Sequence, residues 1–303
     1  MEKLRIAMVG IGDIARKAYL PVVASREDVS PIICTRNTET LDSLIRSHRI
    51  EETYSDFDSL IESRPHAIMI HSNTNTHFSF AKRSLEAGIA TFVDKPLSLS
   101  IEECEQLVIL AKEQDVPLFV GFNRRYAPLL EQLIHKDKLH FKWQKNRESL
   151  TSEAYDFIFN DFIHVVDGLV AQSNIKEIPR DLNVFSYCLD EKLAIVTIRF
   201  SHKGMLYEGQ MNRINGVTEE VVECYLKDEK YVIKNLTQGV HFVKGETNSL
   251  GFSDWHSYLE TRGFNAMIDD WVSKVRLNSV DEEQLNSILL SHQICESIVS
   301  EIK

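Results

Sequence analysis

The 303-residue chain contains no Cys-x-x-Cys pair. Its five cysteines, Cys34, Cys104, Cys188, Cys224 and Cys295, stand far apart, which excludes a zinc ribbon or a redox dithiol. No run of about 18 apolar residues is present, so no membrane-spanning helix is expected. Positive charge is in deficit. The 34 Lys and Arg against 45 Asp and Glu leave a net charge of −11, which argues against a broad basic face for nucleic acid or anionic lipid. The 11 histidines follow no ligand spacing, and no metal site is expected. Internal repeats and low-complexity tracts are missing. The opening Glu2-Lys3-Leu4-Arg5-Ile6 has no apolar signal core ahead of Gly10. Together with the odd cysteine count, this points to a reducing, cytoplasmic setting.

What is present suits an ordinary globular protein, with 43% hydrophobic and 26% charged residues. The length suggests about two domains. Leu4 to Val9 reads as a buried strand and is followed by Gly10-Ile11-Gly12-Asp13-Ile14-Ala15 and a helical pattern. Strand, glycine turn and helix form the context of a dinucleotide fingerprint. Gly10 permits the tight turn, and Gly12 lets a pyrophosphate approach the backbone. Ala15 allows close packing, and the turn through Ile11, Asp13 and Ile14 leads into a helix N-terminus suited to an anion.

Alternation continues through helices at 38–48, 57–63, 78–87 and 101–114 and strands at 31–34, 67–70, 91–93 and 117–120. This rhythm predicts a doubly wound parallel sheet of the Rossmann type over residues 1–123. Ligands of such sheets sit beyond the carboxyl ends of the strands. The second strand ends in Cys34-Thr35-Arg36-Asn37, with no carboxylate for ribose hydroxyls. Thr35 and Arg36 suit a 2′-phosphate instead, so NADP is the preferred cofactor and NAD the second choice. Three further strand ends carry polar side chains: His71-Ser72-Asn73, Asp94-Lys95-Pro96, and Gly121 to Tyr126 with Asn123 and Arg124. Lys95 stands out, because a partly desolvated lysine beside a cofactor can relay a proton.

Taken together, these residues resemble the Gfo/Idh/MocA oxidoreductases. The resemblance rests on the glycine turn, Asn75-Thr76-His77, Glu86-Ala87-Gly88, Asp94-Lys95-Pro96-Leu97 and Gly121-Phe122-Asn123-Arg124-Arg125, in that order and spacing. It is closest to the MviM-like branch, through Val93 to Pro96, Gly121 to Arg125, His164 to Asp167 and Arg262-Gly263-Phe264. The family usually shows Glu where Asp94 stands. The resemblance implies that Ser72, Asn73, His77, Asp94 and Lys95 line the cofactor. It also implies a second α/β domain with a large, mostly antiparallel open sheet that bears the substrate and often oligomerises. The remaining sequence agrees. After about residue 125 the alternation stops, and 183–189, 194–200, 205–211, 221–226 and 231–233 read as successive strands with short links. Closing helices at about 255–301 complete a second domain over 124–303.

The family's catalytic helix usually carries Asp-x-x-x-His with a further Asp three residues on. Here His164 and Asp167 match, but Asn160 stands at the position of the first Asp. Asp161 is one residue along, about 100° around an ideal helix, and could supply the carboxylate if the helix rotated. Otherwise Lys95 and His164 must suffice. The resemblance thus implies hydride transfer between nicotinamide and a secondary alcohol or ketone of a polyol, keto-sugar or cyclitol. Lys95, His164 and Asp161 would handle the proton, and Asn123, Arg124 and Asn160 would join them around the substrate. Trp255, His256 and Arg262 could close the pocket. The competing expectation, favoured by Asn160, is a catalytically degenerate dinucleotide-binding sensor. A group transferase using the same glycine turn is disfavoured by the alternating strand and helix pattern with Lys95-Pro96 after one of its strands.

Overall fold

The structure is a computed structural model that describes residues 2–48 and 50–302. The chain forms two compact units. The first holds the residues up to Gly121 together with Phe264–Asn286, and the second holds Phe122–Gly263 and the residues from Ser287 on.

In the first unit β1 (Leu4–Val9), β2 (Val29–Cys34), β3 (Glu52–Tyr54), β4 (Ala67–Ile70), β5 (Ala90–Val93) and β6 (Leu118–Val120) pair in the order β3-β2-β1-β4-β5-β6, all parallel. This is the doubly wound sheet expected from the alternation. The strands read as apolar runs because both faces are covered, and every residue of β4 and β5 is buried. Helix α1 (Leu20–Ala24) follows the glycine turn, with α2 (Thr38–His48), α3 (Phe57–Glu62), α4 (His77–Glu86) and α5 (Ile101–Gln114) between the later strands. Side chains start two of these helices. Asp56 accepts from the Ser59 N–H ahead of α3, and Ser100 accepts from the Glu103 N–H ahead of α5.

The second unit contains α6 (Pro128–Glu131), β7 (Lys138–Asn146), α7 (Ala154–Phe157), α8 (Ile163–Ser173) and seven further strands. These are β8 (Asn183–Leu189), β9 (Lys192–His202), β10 (Met205–Asn212), β11 (Glu219–Leu226), β12 (Glu229–Lys234), β13 (Gln238–Val243) and β14 (Glu246–Gly251). They form one eight-stranded sheet in the order β14-β13-β12-β11-β7-β10-β9-β8. Among the described residues, β7 and β10 are the pair that runs parallel. The other neighbours are antiparallel, and hairpins with left-handed residues at Asp190-Glu191, Lys203-Gly204 and Lys244-Gly245 join β8 to β9, β9 to β10 and β13 to β14. Helix α8 lies close on one face of the sheet. A Cβ on Gly168 would fall 2.0 Å from the Trp143 ring of β7, and one on Gly209 of β10 would fall 2.8 Å from Val165. The short α9 (Tyr258–Thr261) closes this unit, and its N-terminus is fastened by a capping box between Ser257 and Glu260.

The closing helices α10 (Phe264–Leu277) and α11 (Glu282–Glu301) were both expected in the second domain, but α10 belongs to the first unit. Its apolar stripe explains this. Trp271 packs against Phe92 and Phe119 at 5.8 and 5.7 Å between ring centroids, and Arg276 donates to Asp28. Among the described residues, no helix is long and apolar enough to cross a membrane.

Candidate active site

The glycine turn is built as a cradle. Gly10 has φ +80°, and a Cβ there would sit 2.6 Å from the Ser72 backbone, so the β1 and β4 strand ends come together only with glycine at this position. Above Gly12 there is open space, since a Cβ would meet nothing within 4 Å. These two features fit a pyrophosphate lying against the backbone. Ile11 is half-buried, and Asp13 and Ile14 are exposed on the same turn. Asp13 pairs with Lys17 one turn on.

The helix that follows begins with a π turn at Ala15–Tyr19, in which the Leu20 N–H donates to the Ala15 carbonyl. Pro21 accounts for the wider turn. It offers no N–H, and in a regular α-helix its ring would collide with the carbonyl four residues back. Tyr19, almost wholly buried, sends its hydroxyl to Asp94 Oδ1 at 3.0 Å.

Asp94 also accepts from the Lys95 N–H at 2.8 Å, and the Lys95–Pro96 peptide is cis. His77 clamps the neighbouring loops, with Nδ1 2.8 Å from the Pro96 carbonyl and Nε2 3.0 Å from the Ser72 carbonyl. Ser72 in turn meets Thr76 hydroxyl to hydroxyl at 2.6 Å. Gly121 is required here, because a Cβ would fall 2.5 Å from the Tyr19 hydroxyl. The half-buried Lys95 therefore stands on a braced loop at the carboxyl end of the sheet, with exposed Asn73 on the adjacent strand end. His77 and Asp94 position this loop through their side chains. His71 lies beneath, 4.2 Å from the Tyr19 ring, with neither ring nitrogen hydrogen-bonded. Burial pushes its pKa down to about 4, against the pull of Asp94.

At the end of β2, Thr35 Oγ1 accepts from the Asn37 N–H, and Arg36 is exposed. The carboxylate of Asp56, near Cys34, is occupied with Ser59.

In the second unit, the expected helix around His164 is interrupted by another π turn, Ile158–Phe162, with the Ile163 N–H on the Ile158 carbonyl. Buried His164 lies in the first turn of α8, where α8 is fixed against the sheet. Asn160 is exposed and donates to Asp156 at 3.1 Å. Asp161 points inward and is held by Lys145, Arg147 and Arg213. Burial disfavours its charge, but Lys145 and then Arg147 outweigh that and hold its carboxyl well below the usual range. A carboxylate so engaged is a poor base. The structure thus gives Asp161 the centre of a cation cluster in place of the proton-handling role expected for it.

A second carboxylate completes that cluster. Buried Glu220 accepts from Arg124 at 2.7 and 3.0 Å, from Trp143 Nε1 at 3.0 Å and from Arg262 at 3.3 Å. Burial opposes its charge too, yet Arg124 leads the cations that bring it to about 2. Lys145 goes the other way, lowered to about 7 first by burial and then by the positive charge of Arg124. Arg124 and Asn123 are therefore occupied with protein partners, Asn123 donating to the Arg262 carbonyl at 2.8 Å. Trp255 is 95% exposed, and His256 meets Ser253. Half-buried Arg125 and buried Asp167 form a further pair, supported by Ser287 and Ser291.

Sequence reasoning missed Lys145, Arg147, Arg213 and Glu220. A signal existed for two of them. Phe141-x-Trp143-x-Lys145 and Glu220-x-Val222-x-Cys224 each place one charge on the buried side of an alternating strand, and register then pairs Glu220 with Lys145. Strand β7 itself was overlooked because charged residues occupy much of its pattern.

The profile of the oxidoreductase family with an NAD-binding Rossmann fold matches residues 4–122. The crystal structure of a Gfo/Idh/MocA family oxidoreductase from Vibrio cholerae superposes with a TM-score of 0.92 at 33% identity, covering 99% of both chains. YceM of Salmonella typhimurium is 27% identical over 98% of each chain. Myo-inositol 2-dehydrogenase of Thermotoga maritima is 29% identical over 78% of this chain and 70% of its own.

Proposed function

The chain belongs to the Gfo/Idh/MocA oxidoreductase family, and from that premise we propose that it is an NAD(P)-dependent dehydrogenase oxidising a secondary alcohol of a sugar- or cyclitol-like polyol, or reducing the matching ketone. The observation that carries this reading is the braced Asp94-Lys95-Pro96 loop beside an open glycine cradle at the carboxyl end of one parallel sheet. Gly10, Gly12 and the helix start would hold the pyrophosphate, and Ser72, Asn73 and the Lys95 loop would face the rest of the cofactor. Bound there, the nicotinamide supplies the hydride acceptor or donor. Lys95 Nζ binds the reacting oxygen and holds its proton, and His164 is the second proton-handling group. His77 and Asp94 position Lys95 without touching substrate. The relation to myo-inositol 2-dehydrogenase supports a polyol substrate.

NADP is the preferred cofactor in this reading. The β2 end offers Thr35 and exposed Arg36, and its nearby carboxylate, Asp56, is already spent as a helix cap. Titration of the purified protein with NADPH and NADH, followed by Trp and Tyr fluorescence, tests this directly. Tighter NADPH binding that Arg36→Gln abolishes is expected, whereas equal or reversed preference defeats the assignment. A second reading has one observation in its favour. Asn160 replaces the family carboxylate and Asp161 is locked among cations, as a sensor that keeps the cofactor without turnover would permit. Cofactor retention with no turnover on a polyol and keto-sugar panel would select that reading.

Homo-oligomerisation is proposed through the second unit's sheet, whose edge strand β8 exposes Phe185, Tyr187 and Leu189. Light scattering should return a multiple of 34.8 kDa, and a monomer mass would refute it.

A further inference from the structure

The cation cluster of the second unit does not balance its own charge. Five cations, Arg124, Lys145, Arg147, Arg213 and Arg262, surround two buried carboxylates, Asp161 and Glu220. Even a neutral Lys145 leaves two positive charges in excess. Asp156 reaches Arg213 only as a longer-range charge and is itself exposed. Uncompensated buried charge is costly, so protein interiors normally pair such groups. The surplus is also local, in a chain whose overall charge is −11.

Two further features point to a missing anion. Arg213 is 5% exposed, yet its Nε finds no hydrogen-bond partner, although its other nitrogens are used by Leu150, Ser152 and Asp161. Arg147 spends Nε and Nη2 on Asp161, and its Nη1 has no acceptor among the described residues. With 35% of its side chain exposed, Arg147 is where this cluster reaches solvent. The lowered pKa of Lys145 is what crowding by like charge produces, once burial has weakened solvation. The cluster also grips the turn just before His164, so an anion held there would sit on the same helical segment as a proposed proton-handling group.

We infer that this enzyme's substrate carries an oxyanion, a phosphoryl or carboxylate group, which docks on the Arg147 edge of the cluster. Guanidinium groups suit both anions through paired hydrogen bonds. The inference deepens the dehydrogenase reading and rests on it for the word substrate, while the anion site stands on the cluster alone.

The test uses the full chain with inorganic phosphate and, separately, acetate, each against chloride at matched ionic strength. Calorimetric titration and the thermal midpoint are read for the wild type, R147Q, R147K, R36Q and G12V. Saturable millimolar binding by the wild type is expected, weakened at least tenfold in R147Q and largely kept in R147K, while R36Q and G12V report ion binding at the proposed cofactor site instead. The tighter of the two ions tells whether the substrate bears phosphoryl or carboxylate. Failure of both ions to saturate the wild type overturns the inference. So does binding that survives R147Q, and loss in G12V alone would then locate the ion at the glycine turn. NADH and NADPH titrations on the same samples keep the readings apart. Lost cofactor binding with retained anion binding would sink the dehydrogenase and leave the anion site.

Discussion

The two units treat buried polarity in opposite ways. In the first, ion pairs stay at the rim. Arg5 with Glu52, Arg26 with Asp28 and Arg83 with Asp58 are all partly or largely exposed. Its buried polar side chains, such as His71 and His77, sit singly under a polar rim of loops. The second unit draws five cations and two carboxylates inward around Trp143 and the start of α8. A parallel sheet covered on both faces leaves no inward position for a charge, so polar chemistry collects on the loops at its strand ends. An antiparallel sheet covered by one helix has strand positions facing that helix, and there charge can enter if it is paired.

This contrast can be broken at its strongest points first. Lys95→Met should lower kcat by about 10²- to 10⁴-fold, the usual worth of general acid–base assistance, with cofactor affinity nearly unchanged. Steady-state kinetics beside a cofactor titration checks both, and an unaltered kcat would move the chemistry away from the first unit's loops. Glu220→Ala strands Arg124 and Arg262 in a buried site and should cost about 3–5 kcal/mol by urea unfolding. The matching change at the rim of the first unit, Asp58→Asn, should cost at most about 1 kcal/mol. Equal costs would erase the distinction between the units.

The smallest effects lie in the pH dependence, and there the windows differ. His71 titrates near 4 when folded and near 6.5 when unfolded, so its neutral burial stabilises the protein above pH 6.5. That contribution is lost as the pH falls from 6.5 toward 4, because the unfolded chain takes up the proton first. His292 of the second unit behaves alike, so the acid limb is common to both units. Lys145 belongs to the second unit alone. Its folded pKa of about 7 lies below the ordinary 10.5, so stability should rise as the pH climbs from 7 toward 10.5. Urea midpoints at pH 5, 7 and 9 should lose part of the acid limb in His71→Leu and part of the alkaline rise in Lys145→Met. A Lys145→Met profile parallel to the wild type would show that Lys145 keeps its proton throughout.

Much of the first unit was legible beforehand. Strands such as β4 and β5 are apolar runs and the glycine turn has one structural explanation, whereas β3, Glu52-Thr53-Tyr54, is too short and too polar to stand out. The hairpins of the second unit were legible at β8 to β12 from short polar or glycine links. Strands β7, β13 and β14 were not, because half-exposed strands carry charge or lack bulky apolar residues. The π turns were also invisible, although Pro21 in retrospect marks the first. Asp161 shows the limit most clearly. Position alone made it a neighbour of His164, and nothing local reveals that Lys145, Arg147 and Arg213 close on it from β7 and from the residues just after β7 and β10.

Periodicity and backbone rules that act over a few residues already specify the parallel sheet, the glycine cradle and Lys95 at a strand end, and the family resemblance adds His164 as a candidate. Only the tertiary structure decided that α10 returns to the first unit, that His77 and Tyr19 brace the Lys95 loop, and that Asp161 is spent on cations. Each of these joins residues far apart along the chain. Such contacts form where burial makes an unpaired polar group costly, and that cost depends on which distant side chains arrive there.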